Sequence, residues 1–261
     1  REISLTSKDQ EPPQNQILPL INLFTRGFFH DVLSKTDEMR KIFPNSVLLY
    51  NISGSAHTAL RQFDLAIDNY KKALVIKPDY ADAFCNIGIV QHKIGELEAS
   101  ILSYKKAIEF NPLHAVAYCH MGVSYKKKGD YGTAINCYKR AVEIKPSFDE
   151  AYYKMGNVFI ENNDLDEAID CYKHVLKIKP DYAEVHYNMG NMLKEKEELD
   201  QAIECYEKAT KINPDYADAY NNMGICFSHK GNLDEAIDCY KYVLKIKPDY
   251  AEVHYNMGNM L

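Results

Sequence analysis

Chemistry would show first in nucleophiles and metal ligands, and the chain carries seven cysteines and nine histidines. Cys137, Cys171, Cys205 and Cys239 recur at a fixed step of 34 residues, each directly before a tyrosine. A step that long puts successive thiols on successive structural units, so the pattern supports packing rather than one converging metal or redox site. No cysteine pair is spaced CxxC, and no two histidines stand at i and i+4. No phosphate-cradling glycine loop, nucleophile elbow or HExxH helix occurs. The chain is therefore read as not an enzyme, with no catalytic residue, no cofactor and no metal.

Composition narrows the partners. With 31 Lys and Arg against 37 Asp and Glu, the formal net charge is -6, which disfavours nucleic acid as a partner. No apolar run approaches the roughly 18 residues that a membrane span needs, so no membrane partner is expected. An odd number of cysteines without a disulfide framework fits a reducing compartment, and a cytoplasmic location is expected.

The elements that carry these residues follow from the same 34-residue step. Gly54, Gly88, Gly122, Gly156, Gly190, Gly224 and Gly258 share it, as do Pro44, Pro78, Pro112, Pro146, Pro180, Pro214 and Pro248. Ala66, Ser100, Ala134, Ala168, Ala202 and Ala236 form a third series, and Tyr70, Tyr104, Tyr138, Tyr172, Tyr206 and Tyr240 a fourth. Within one unit, Tyr118, Met121, Gly122 and Tyr125 mark one helical stripe, and Tyr131, Ala134, Ile135, Tyr138 and Ala141 mark another. Gly129 lies between the stripes and Pro146 closes the second, so each unit reads as a helical hairpin. A single hairpin cannot hide its apolar stripe, and neighbours must stack. Residues 181–184, 249–252 and 232–235 read as capping boxes. Pro19 either sits in a first helical turn or interrupts a helix that begins near Pro13. Residues 165–193 and 233–261 differ only at His174 against Tyr242, the mark of a two-unit duplication.

This pattern resembles the tetratricopeptide repeat family: a large residue at position 4, Gly at 8, Ala at 20, Tyr at 24 and Pro at 32. The resemblance implies an all-α fold, a right-handed superhelical solenoid of antiparallel helix hairpins. It divides the chain into a mobile lead-in over 1–14 and a degenerate capping repeat over 15–46. Six units follow over 47–250 (47–80, 81–114, 115–148, 149–182, 183–216 and 217–250), with the first helix of a truncated seventh over 251–261. Position 4 is His in His186 and His254, and the turn glycine is replaced by Arg61, Asn163 and Glu197. The second helix that would cover Met257 and Leu261 lies outside this sequence, so self-association through that end is expected.

In the resembled family, positions 2, 5, 6, 9, 12 and 13 of the first helices line a concave groove. Position 6 then gives Ile52, Asn86, His120, Lys154, Asn188, Asn222 and Asn256. Position 9 adds Asn157, Asn191 and Asn259, and position 5 adds Tyr153, Tyr187 and Tyr255. An asparagine amide both donates and accepts, so such a series suits the backbone of an extended peptide. It partly resembles the inner wall of the repeat arm of O-linked N-acetylglucosamine transferases and of bacterial repeat proteins fused to transferases. Charge is uneven, with six basic and two acidic residues over 115–148 against four and eight over 183–216. Lys126 and Lys127 are expected to join His120 in the basic part of the groove. The leading reading is a non-catalytic interaction scaffold that binds an extended peptide or a partner helix in that groove. The alternative is the substrate-recognition arm of a larger glycosyltransferase or sulfotransferase whose catalytic domain lies beyond Leu261.

Overall fold

The computed structural model describes residues 11–258. The described residues form fifteen α-helices and no strand. They fall into two compact units divided between Pro146 and Ser147. The first holds α1 (Gln14–Thr25), α2 (Phe29–Arg40), α3 (Val47–Ala59), α4 (Phe63–Ile76), α5 (Ala81–Lys93), α6 (Leu97–Phe110), α7 (Ala115–Lys127) and α8 (Tyr131–Ile144). The second holds α9 (Asp149–Glu161), α10 (Leu165–Ile178), α11 (Ala183–Glu195), α12 (Leu199–Ile212), α13 (Ala217–His229), α14 (Leu233–Ile246) and α15 (Ala251–Gly258). Within each unit the helices pair into hairpins, such as α5 with α6 and α11 with α12, and each hairpin packs on the next.

The hairpins close on one recurrent contact. The position-24 tyrosines are all buried, and each lies against the position-8 glycine of its own hairpin. A Cβ placed on Gly190 would stand 2.6 Å from Tyr206 Cε1, and one on Gly54 would stand 2.5 Å from Tyr70 Cε1. No side chain fits there, so glycine is retained despite its cost inside a helix. The degenerate first hairpin reverses the arrangement: Leu20 takes the glycine position and Thr36 the tyrosine position, and both are fully buried. Bulk moves from the second helix to the first while the space stays filled.

Each turn inside a hairpin is a Schellman closure. After α3, the Arg61 amide bonds the Thr58 carbonyl and the Gln62 amide bonds the His57 carbonyl, at 3.1 and 2.8 Å. The residue at the bend needs a left-handed backbone. Gly27, Gly95, Gly129 and Gly231 supply it, and Arg61, Asn163 and Glu197 adopt it at φ of 59, 64 and 62°. The substituted turns therefore keep the glycine geometry and carry its strain. From α4 onward each second helix ends where the residue before proline leaves the helical conformation, as at Lys77 and Lys247, because proline disfavours helix one residue upstream.

Two expectations need correction. The capping boxes do not form at 181–184 and 232–235. Tyr182, not Asp181, is the N-cap of α11 and makes no side-chain cap bond, and Asn232 caps α14 without one. Glu184 consequently stands at the second helical position, and its carboxylate accepts the Tyr153 hydroxyl instead. Side-chain caps do occur at Ser46, His114 and Asp130. The lead-in expected over 1–14 is also shorter at its end. Gln14 opens α1, Pro13 is its N-cap, and Pro19 lies inside the helix. Pro12 is buried, and Glu11 accepts from the Ser46 hydroxyl and the Leu48 amide. The rest of the lead-in, residues 1–10, lies outside the described residues, as do Asn259 and Leu261.

Gly190→Ala should destabilise the chain by about 1–3 kcal/mol, because the Tyr206 ring must move, read as a lower urea midpoint with an unchanged slope. Glu197→Gly should act in the opposite sense. Relief of about 1–2 kcal/mol of left-handed strain exceeds the roughly 0.5–1 kcal/mol of added chain entropy. A midpoint that fails to rise would show the turn to be unstrained.

Candidate functional site

The second unit gathers its position-5, 6 and 9 residues around buried tyrosines. Tyr153, Lys154 and Asn157 lie on α9, Tyr187, Asn188 and Asn191 on α11, Asn222 on α13 and Asn256 on α15. The Tyr172 hydroxyl donates to Asn157 Oδ1, and Asn188, one hairpin further on, also reaches it. The next hairpin repeats the motif. Tyr206 donates to Asn191 Oδ1 at 2.8 Å, and Asn222 Nδ2 donates to the same oxygen at 2.8 Å and to the Tyr187 hydroxyl at 3.3 Å. One asparagine from each of two neighbouring hairpins thus meets a framework phenol. Burial pushes both phenols above the ordinary tyrosine range, so they remain protonated donors at any physiological pH.

Rings flank these bonds. Tyr153 lies 5.7 Å from Tyr172 and 5.8 Å from Tyr182, and Tyr187 lies 4.9 Å from Tyr216. Burial and the hydrogen bond to Glu184 raise Tyr153 to about 12. Beside Asn191 opens a cavity of about 880 Å³, reached by Lys194, Glu195, Ile225 and His229. These four stand at positions 12, 13, 9 and 13 of α11 and α13.

Other candidates do not join these clusters. Lys154 turns to Glu150 of its own helix at 3.3 Å. Asn256 Nδ2 is buried without a hydrogen-bond partner. Asn86, His120, Lys126 and Lys127 belong to the first unit. There Asn86 Nδ2 donates to Asn51 Oδ1 at 2.8 Å, joining α5 to α3. His120 stacks on Tyr104 with centroids 6.2 Å apart. Lys126 is half-buried and Lys127 exposed in the last turn of α7. Sequence reasoning passed over the position-2 acids: Glu184 accepts from Tyr153, Asp218 from Tyr250 at 2.9 Å, and Glu252 from Asn221 at 3.2 Å. Their signal was one more 34-residue series, Glu150, Glu184, Asp218 and Glu252.

All seven cysteines are free and buried. Burial raises the Cys85 and Cys239 thiols to about 12 and those of Cys137 and Cys205 to about 11, which makes them poor nucleophiles. His186 is buried at position 4, and its Nε2 bonds the Pro180 carbonyl at 2.9 Å. No group of three or more metal-ligating side chains converges among the described residues. No described helix is long and apolar enough to cross a membrane.

Stacked 34-residue hairpins closed by paired glycine and tyrosine define a helical repeat protein. The chain belongs to the tetratricopeptide repeat family. The TPR repeat profile matches residues 54–95, 92–129, 122–162, 156–196 and 190–231, and the tetratricopeptide repeat profile matches 217–250. No curated protein sequence matches the chain. Among solved structures, MamA is 29% identical, with 64% of this chain and 97% of MamA covered at a TM-score of 0.58. YrrB, described as a TPR protein with an unusual peptide-binding site, is 23% identical over 72% of this chain and 97% of its own, at 0.64. The C-terminal part of a TPR repeat-containing protein from Cytophaga hutchinsonii is 17% identical over 90% of this chain and 96% of its own, at 0.72. The last two share the fold.

Asn191→Ala should cost about 1–2 kcal/mol, because the buried Tyr206 hydroxyl loses its acceptor. Lys154→Ala should change stability by less than about 0.5 kcal/mol, since it removes only a partly exposed pair within one helix. Urea midpoints of the two variants check both expectations.

Proposed function

We infer that this chain, as a member of the tetratricopeptide repeat family, is a protein-interaction scaffold. We propose that the first-helix face of the second unit binds an extended peptide without catalysis, reading its backbone through the paired asparagines. The observation that carries this reading is the bonding around Tyr206. Asn191 Oδ1 and both Asn222 Nδ2 hydrogens are held inside the protein. Each amide is thereby fixed in orientation, and Asn191 Nδ2 and Asn222 Oδ1 are left to serve a ligand. A fixed donor beside a fixed acceptor complements the carbonyl and N–H of a peptide backbone. Asn157 and Asn188 offer a second rung one hairpin away. The cavity beside Asn191 takes one side chain of the ligand, which gives the sequence preference that backbone contacts lack.

A displayed random peptide library selected on the full chain supplies the probe, with affinity measured by fluorescence anisotropy. Asn188→Ala with Asn222→Ala should weaken the selected peptides about tenfold or more, the loss of one net hydrogen bond from each of the two rungs. Undiminished affinity in that variant would remove the peptide from this face.

A further inference from the structure

A second cavity, of about 670 Å³, opens in the second unit among the end of α10, the turn after it, α11 and α12. Two of its lining side chains set this hairpin apart from others. In three other hairpins the position-4 ring is covered by the residue at position 26: Tyr152 stacks on His174 at 4.6 Å, Tyr220 packs on Tyr242 at 4.4 Å, and Lys106 lies over Phe84 at 5.5 Å. In the hairpin of α11 and α12 the pair is His186 and Lys208. The ring is smaller, and burial and Lys208 both push its pKa below the ordinary histidine value. His186 and Lys208 both line the opening, which lies beside them rather than being closed by a ring contact.

The lining is chemically divided. Lys208 and Lys211 stand one turn apart on α12, Leu176 and Ile212 supply apolar walls, and His186 and Asp181 complete it. The Pro180 carbonyl can only accept, so His186 Nε2 carries the hydrogen at 2.9 Å. In the neutral ring Nδ1 then keeps a lone pair and accepts. Two adjacent ammonium groups suit a carboxylate. With Asp181 against the two lysines the lining carries one net positive charge, which a monocarboxylate neutralises and a dianion such as a phosphate monoester exceeds.

We propose that this cavity binds a monocarboxylate attached to a branched apolar group and an amide N–H, the chemistry of an N-acylated apolar amino acid. The lysines take the carboxylate, Leu176 and Ile212 take the side chain, and His186 Nδ1 accepts the N–H. Such a group is either a free small acid or the last residue of a peptide, and both fit a cavity of this size. The site shares no residue with the asparagine rungs, so it stands or falls apart from them.

Isothermal titration calorimetry on the full chain tests it, with N-acetyl-leucine, its carboxamide and 4-methylpentanoate as probes. The acid should bind one to one, and the carboxamide about tenfold more weakly, the effect of losing the charge-assisted bonds. 4-Methylpentanoate, which lacks the N–H, should bind several-fold more weakly. Lys208→Gln with Lys211→Gln should reduce binding of the acid about tenfold. His186→Tyr, which restores the ring found in other hairpins, should weaken binding by removing the Nδ1 acceptor. Thermal melts followed by circular dichroism establish that both variants fold. Equal affinity for acid and carboxamide, no binding of the acid, or full affinity in the folded lysine variant overturns the proposal. Equal affinity for 4-methylpentanoate overturns the role given to His186. Gly-Gly-Leu binding as tightly as N-acetyl-leucine assigns the site to peptide ends, and its failure where N-acetyl-leucine binds assigns it to a free acid; either upholds the cavity's chemistry.

Discussion

Everything in this chain depends on a ring laid against a bare backbone. The position-24 tyrosine can lie flat on the first helix only because position 8 has no side chain, with less than 3 Å between the ring and where a Cβ would be. That approach sets the distance between the two helices of a hairpin. The distance in turn decides which first-helix residues reach the phenol. In the second unit they are Asn157 with Asn188, and Asn191 with Asn222. The packing contact and the candidate binding rung are two ends of one side chain: the ring closes the hairpin, and the hydroxyl orients the amides.

The fold was legible because it is periodic. Glycine, alanine, tyrosine and proline series with one step leave little freedom, and each series has a separate physical cause: close approach, small volume, filling, and helix termination. Finer features were not legible. Asp181 and Asn232 have the side chains of good caps, yet the turn after Pro180 delivers Tyr182 to the cap of α11, and Asn232, which follows the Gly231 turn, caps α14 without a side-chain bond. Glu197 stands where other turns carry glycine, and only the Schellman bonds show that it is held in the glycine conformation.

The candidate site was legible as a set of positions and not as a set of bonds. Counting along the helix found Asn191 and Asn222, but nothing in a sequence says that the two share an oxygen with a tyrosine. Lys154 belongs to the same series and turns to Glu150 instead, because a long flexible cation finds the nearest carboxylate on its own helix. The cavity at His186 was hidden for a related reason. A histidine at an aromatic position reads as core filler, and only the lysine across from it shows that the space was not filled.

The reversed pair in the first hairpin has a consequence for how the chain finds its register. Helices α11 and α15 have the same sequence through Gly258, so a growing chain holds near-identical surfaces that local contacts alone must sort. Leu20 breaks that degeneracy. A leucine cannot lie where even a methyl group would collide with a tyrosine ring, so α1 is barred from every second helix that carries one and accepts only α2, where Thr36 leaves room. The inversion works as a key cut for a single lock, fixing one hairpin from which the others can be counted.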